Sequence, residues 1–256
     1  MPTSHRSPSG VEIAEDFRDN LIIDRYDPVF ASMRAIKRKH LHSANSEDAV
    51  TWNVFRSLRQ ISSSVWLPDL FLSAFPELDP PPASHAVVSL WQTVGPPPSL
   101  LEEAEEGESE IDVVIEAPSW VWFIEAKLGG DISPGTTTRK DRNQVLRNID
   151  VGSYYSGVRS FYFSLLVADA KRTRAGVAVV EEYRELERPR ELLAAHRPDG
   201  LPNLRGVSLL RWPDLADILA GVARAHATRD DERPYAQRAA DWLRARRLAG
   251  ADGDAG

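Results

Sequence analysis

Three charged side chains stand where an apolar sheet would exclude them. In ESEIDVVIEAPSWVWFIEAKL, Glu108 to Leu128, two apolar runs read as buried strands, Ile111 to Ile115 and Val121 to Ile124. Asp112 interrupts the first run, and Glu125 and Lys127 close the second. Side chains alternate along a strand, so Glu125 and Lys127 share a face while Ala126 takes the other. The same parity puts Glu110, Asp112 and Glu116 opposite Ile111, Val113 and Ile115. The connection APSW, with Pro118 and Ser119 as turn residues, favours a hairpin that brings Asp112 beside Glu125. Two carboxylates held that close repel, and their pKa values rise unless a cation lies between them. Mg2+ meets that need, because it takes oxygen ligands and is usually held by one or two carboxylates with water and substrate phosphate. A lysine on the same face reaches the metal-bound water or the phosphate, a constellation suited to phosphodiester hydrolysis.

These groups need elements to position them. Upstream, SEDAVTWNVFRSLRQI has apolar residues at Val50, Val54, Leu58 and Ile61, which is helical spacing, with Ser46 as N-cap and Glu47 and Asp48 in the first turn. DPVFASMRAIKRKH before it reads as another short helix. Ala86 to Val94 reads as a strand between Pro-rich loops. After the charged hairpin come a helix around RNQVLRNIDVGSYYSG and a strand from Ser160 to Ala168. A mostly helical stretch and a last strand, GVSLLRW, follow. Pro213 suits the first turn of a further helix, and YAQRAADWLRARRLAG forms a terminal amphipathic one. The order predicts an α/β sandwich: a central mixed β-sheet with an antiparallel hairpin, flanked by helices on both faces.

Asp112, 12 intervening residues, then Glu125-Ala126-Lys127 at the end of an apolar strand resembles the core motif of the PD-(D/E)XK nuclease superfamily. Ile111 stands where the superfamily usually has proline. The resemblance implies a restriction-endonuclease-like fold, with Asp112 and Glu125 binding Mg2+ (Mn2+ substituting) and Lys127 orienting or activating the attacking water. It also implies roles for Glu47, as a first-helix acid at the metal, and Gln144, as a polar residue on the helix after the lysine strand. Asp48 is the alternative to Glu47. The resemblance covers about 46–168. It makes DNA the expected substrate ahead of RNA, and restriction or phage defence the expected setting.

Plainer readings stand beside it. Glu125 and Lys127 have a second, less favoured reading as an exposed charged strand end, and Asp112 with Lys127 as a structural ion pair, which is costly if buried. An acid in the first turn of a helix is favoured by the macrodipole alone, which covers Glu47, and Gln144 reads also as a solvated helix residue. Arg142, Arg147 and Lys140 flank the site and are placed either to meet phosphates or simply to be solvated. A second function class follows: a catalytically inactive nuclease-fold module that binds nucleic acid or a partner protein.

Composition narrows the rest. The chain of 256 residues has no cysteine, which excludes thiolate metal sites, and its histidines are scattered. GDISPGT has the glycine spacing of a phosphate-binding loop, but Thr136 stands where the lysine must be. There is no G-x-S-x-G elbow. No run of about 18 apolar residues exists, and the first residues lack the apolar centre of a signal peptide, so a cytoplasmic protein with no membrane contact is expected. The net charge of −7 argues against a generally basic nucleic-acid binder and predicts help from Mg2+, a homodimer or a partner protein. It is uneven: LEEAEEGESE carries six glutamates, whereas RAIKRKH, RKDR, KRTR and RARR are basic. One α/β domain over 21–248 is expected, with a core at 46–168 and a helical extension at 175–248, between flexible tails at 1–20 and 249–256.

Overall fold

The computed structural model describes residues 4–102, 107–135 and 142–248. Its elements, in order, are β1 (Ser4–Arg6), β2 (Glu12–Ala14), α1 (Val29–Ser32), α2 (Ala35–His40), α3 (Glu47–Leu58), α4 (Ser63–Ala74), β3 (Val87–Val94), α5 (Pro98–Glu102), β4 (Ser109–Ala117), β5 (Trp120–Lys127), α6 (Gln144–Ser156), β6 (Ser160–Val167), α7 (Arg174–Tyr183), α8 (Glu187–Leu193), β7 (Leu204–Arg211), α9 (Trp212–Arg224) and α10 (Arg233–Ala245). The chain divides into two compact units, Met1–Trp66 with Trp212–Gly256, and Leu67–Arg211. The tail at 249–256, Lys140 and parts of the acidic run and of RKDR lie outside the described residues.

The second unit is α/β. Its five-stranded sheet runs in chain order, β3-β4-β5-β6-β7. β3, β4 and β5 pair antiparallel, and β5, β6 and β7 pair parallel. The parallel pairs need crossovers, supplied by α6 and by α7 with α8. All of β5 is buried, as a central strand with both faces covered requires. Alternation sorts its side chains. Val121 and Phe123 join Val145, Leu146 and Ile149 of α6 in one apolar cluster. Trp122 turns the other way, onto Phe71 and Phe75 at the end of α4 and just beyond it. On that face the Trp122 indole donates to Ser164 Oγ (2.9 Å), which is 2.7 Å from Ser208 Oγ, so the buried polar atoms satisfy one another.

α6 starts at Asn143, whose side chain accepts from Leu146 N–H, and stops at Gly157, whose φ of 59° suits glycine. Gly152 sits in the middle of the helix for a packing reason: a Cβ there would meet the Phe161 ring and lie 2.9 Å from Phe123.

In the first unit, α10 packs on α9 and on α3. Ser46 caps α3 by accepting from Ala49 N–H (3.1 Å). The expected flexible tail differs: Ser4–Arg6 and Glu12–Ala14 pair antiparallel, with Gly10 in the turn at φ 80°. The single helix expected over DPVFASMRAIKRKH is divided into α1 and α2 at Met33 and Arg34, both extended.

Candidate functional site

The site lies where β4 and β5 part. Their ladder runs from Ala117↔Trp120 to Val113↔Ile124 and goes no further in register, while β4 stays paired with β3 down to Ser109. β5 continues beside β6 to Lys127↔Val167. In the fork the Asp112 carboxylate replaces a backbone partner: its Oδ2 accepts from Ala126 N–H at 2.9 Å. Asp112 is thereby fixed beside the two residues that end β5.

Glu125 and Lys127 are buried, at 3% and 8% exposure, which sets aside the reading of an exposed strand end. They share a face as alternation requires, with Lys127 Nζ donating to Glu125 Oε1 at 2.7 Å. A buried carboxylate is costly unless its oxygens are bonded. Here Gln144 Nε2 also donates to Oε1 (2.5 Å), and Asn148 Nδ2 donates to Oε2 (2.9 Å). Gln144 and Asn148 stand four residues apart on α6, one turn of the same face. Gln144 also ties α6 to the loop after β5, its Oε1 accepting from Ser133 N–H at 3.3 Å.

That loop is anchored by Asp131. It accepts from the N–H groups of Ile132 (2.8 Å), Ala175 (2.8 Å) and Gly176 (2.9 Å), the last two opening α7. Burial pushes the Asp131 carboxyl up, but these three donors and the charge of Lys127 hold it below the usual carboxylate range.

The structure brings Asp112, Glu125, Lys127 and Gln144 together in the second unit. Asn148 was not singled out in the sequence, although its position one turn after Gln144 is a readable signal. Its Oδ1 is buried and has no hydrogen-bond partner among the described residues. Glu47 belongs to the first unit, in the first turn of α3. Its alternative, Asp48, is engaged by Lys37 at 3.1 Å.

Arg142 is not a solvated phosphate contact. It is 2% exposed and donates through Nη2 to Asp150 Oδ2 at 2.9 Å. Asp150 is fully buried on α6, and Arg197 Nη1 and His196 Nε2 each lie 2.8 Å from its oxygens. Burial raises this carboxyl, but the His196 hydrogen bond and the charges of Arg142 and Arg197 outweigh it and hold it low. Arg147 is half-buried.

Among the described residues no three His, Asp or Glu side chains gather as a ready cage for a metal. The donor set at the fork is two carboxylates, which fits Mg2+ because that ion keeps waters and takes phosphate oxygens for its remaining positions. No helix among the described residues is long and apolar enough to cross a membrane. Comparison with protein-family models, with curated proteins and with solved structures found no match.

Proposed function

We propose that the chain is a metal-dependent nuclease of the PD-(D/E)XK type that hydrolyses phosphodiester bonds in DNA. The observation that carries this reading is the buried Glu125–Lys127 pair at the end of β5, with Asp112 pinned across the fork. The strand order of the second unit supports the restriction-endonuclease-like assignment: an antiparallel β3-β4-β5 meander, a crossover helix and a parallel β6. Asp112 and Glu125 are the residues that would hold Mg2+. The ion would lower the pKa of a bound water and neutralise charge on the phosphate. The unpartnered Asn148 Oδ1 beside Glu125 suits a hydrated ion, whose waters are donors.

The protein's own groups have distinct tasks. Gln144 and Asn148 fix the Glu125 carboxylate, and Asp112 is aimed by its bond to Ala126. Lys127 brings an ammonium to the face where a phosphate would lie, for orienting the attacking water. With a net charge of −7, Mg2+ and a second copy or partner protein would help to hold DNA. Restriction or phage defence in the cytoplasm is the setting we propose.

The test is incubation of supercoiled plasmid with purified protein in Mg2+, Mn2+ or EDTA, beside Lys127→Ala. Metal-dependent nicking or linearisation that vanishes in the variant is expected. Silence of the folded wild-type protein on plasmid, linear DNA and RNA alike would overturn the reading in favour of an inactive binding module.

A further inference from the structure

The first unit holds a cavity of about 410 Å3. Phe17 and Phe30, both buried, line it, with Arg18, Arg25, Tyr26 and Arg38. We propose that this cavity binds a nucleotide unit, its base on Tyr26 and its phosphate on the arginines, and that a single DNA strand presents it.

The aromatic surface comes first. Tyr26 is 82% exposed, so its ring contributes little to the core. The Arg18 guanidinium lies between two rings, 4.7 Å from the Phe17 centroid and 5.2 Å from that of Tyr26. A base on the exposed Tyr26 ring would extend a stack of cation and aromatic faces, the usual platform for single strands.

The charge distribution favours an anion. Asp27, the one acid among the lining residues, and Asp24 beside it are turned onto Arg56, at 2.9 Å and 2.5 Å. The Asp16–Arg18 pair is exposed and of little energetic weight. Arg18 Nε is buried without an acceptor among the described residues. The exposed Arg34 and Lys39 on the adjoining α2 segment extend the basic surface beyond the cavity.

The loop bearing these groups is held in shape. Asn53 Oδ1 accepts from Ile22 N–H, Asn53 Nδ2 donates to the Asn20 carbonyl, and the Trp52 indole donates to the Ile23 carbonyl. Asp24 then takes φ 48°, a left-handed bend that presents Arg25 and Tyr26 outward. Such a conformation in a non-glycine residue persists where surrounding bonds fix it, often at binding sites. The volume suits a small-ligand site, which spans roughly 300–1,000 Å3.

This inference deepens the nuclease reading by naming the form of the substrate, and binding rather than cleavage decides it. Fluorescein-labelled dT20 is titrated with the full chain in EDTA, followed by anisotropy, with AMP as competitor. Tyr26→Ala should weaken binding roughly tenfold or more. Its thermal midpoint should stay unchanged, because the ring is exposed. Arg25→Ala and Arg38→Ala should each lower the slope of log affinity against log salt by about 0.7, one phosphate contact on a single strand. Tyr26-dependent binding of AMP but not of dT20 would keep the site and make the free nucleotide its source. Failure of both probes to bind, or binding indifferent to Tyr26→Ala, overturns the inference. Plasmid cleavage with Tyr26-independent dT20 binding sinks this inference alone. Tyr26-dependent binding without cleavage sinks only the nuclease reading.

Discussion

Gly152→Ala tests how α6 is seated. Alanine in a helix interior gains about 1 kcal/mol over glycine. At Gly152 that gain meets two rings with no room to move: Phe161 and Phe123 are fully buried and pack edge-on at 5.3 Å and 87°. Overpacking a tight core costs typically 1–3 kcal/mol, so we expect a net loss of up to about 2 kcal/mol. Gly221 on α9 is the matched control, since a Cβ there meets nothing within 4 Å. Gly221→Ala should stabilise by up to about 1 kcal/mol, the opposite sign for the same chemical change. Gln144, Asn148 and Gly152 form one stripe at steps of four residues, so lifting α6 at Gly152 also withdraws the two amides from Glu125. Misplacement approaching 1 Å costs on the order of 100-fold in rate, and we expect plasmid nicking to fall between tenfold and 100-fold. Urea unfolding followed by tryptophan fluorescence, which includes Trp120 and Trp122 of the second unit, measures the first effect. The midpoint is read for each transition, because two units need not unfold together. If Gly152→Ala gains stability as Gly221→Ala does and cuts plasmid at the wild-type rate, the close seating of α6 is wrong.

Asp150→Ala should destabilise the second unit by about 3–5 kcal/mol, because it removes the carboxylate from the buried Arg142, and a urea midpoint measures it. The Asp150 carboxyl is depressed in the fold, so its contribution is fully present above the unfolded value of about 3.9 and fades as pH falls through the folded value. Asp150→Asn should therefore flatten the acid limb of a stability profile below about pH 4, and an unchanged limb would assign acid unfolding elsewhere. Asn148→Ala removes one donor from Glu125 and should raise the Mg2+ needed for half-maximal cleavage roughly tenfold to 100-fold, with the thermal midpoint showing whether the fold survives.

Much of the fold is legible because its signals are local. The hairpin shows in two apolar runs around Pro118 and Ser119, and α3 in Ser46 and its helical spacing. Parity alone places Glu125 and Lys127 on one face. α4 is harder to read, since Pro68 stands inside it. Its buried residues Trp66, Leu67, Leu70, Phe71 and Ala74 nevertheless follow helical steps. The β1–β2 pair gives no apolar alternation to read, only a glycine turn. The ties of Arg142 and Arg197 to Asp150 join distant segments of chain, and an arginine beside a candidate site looks the same in sequence whether it faces solvent or a buried acid. Likewise, the cluster around Tyr26 depends on Asn53 and Trp52, some thirty residues downstream.

The Asp112–Ala126 bond makes one carboxylate serve as a wedge as well as a charge. If the side chain were cut back, the amide of Ala126 would lose its acceptor, and β4 would be free to zip further along β5 and close the gap. Truncation at Asp112 thus confounds two losses, of an anion and of an opening between strands. Asparagine separates them, because its carbonyl oxygen still accepts from the amide while the negative charge is gone. The shape of the opening should survive Asp112→Asn and change in Asp112→Ala, and amide hydrogen exchange at Ala126 distinguishes the two.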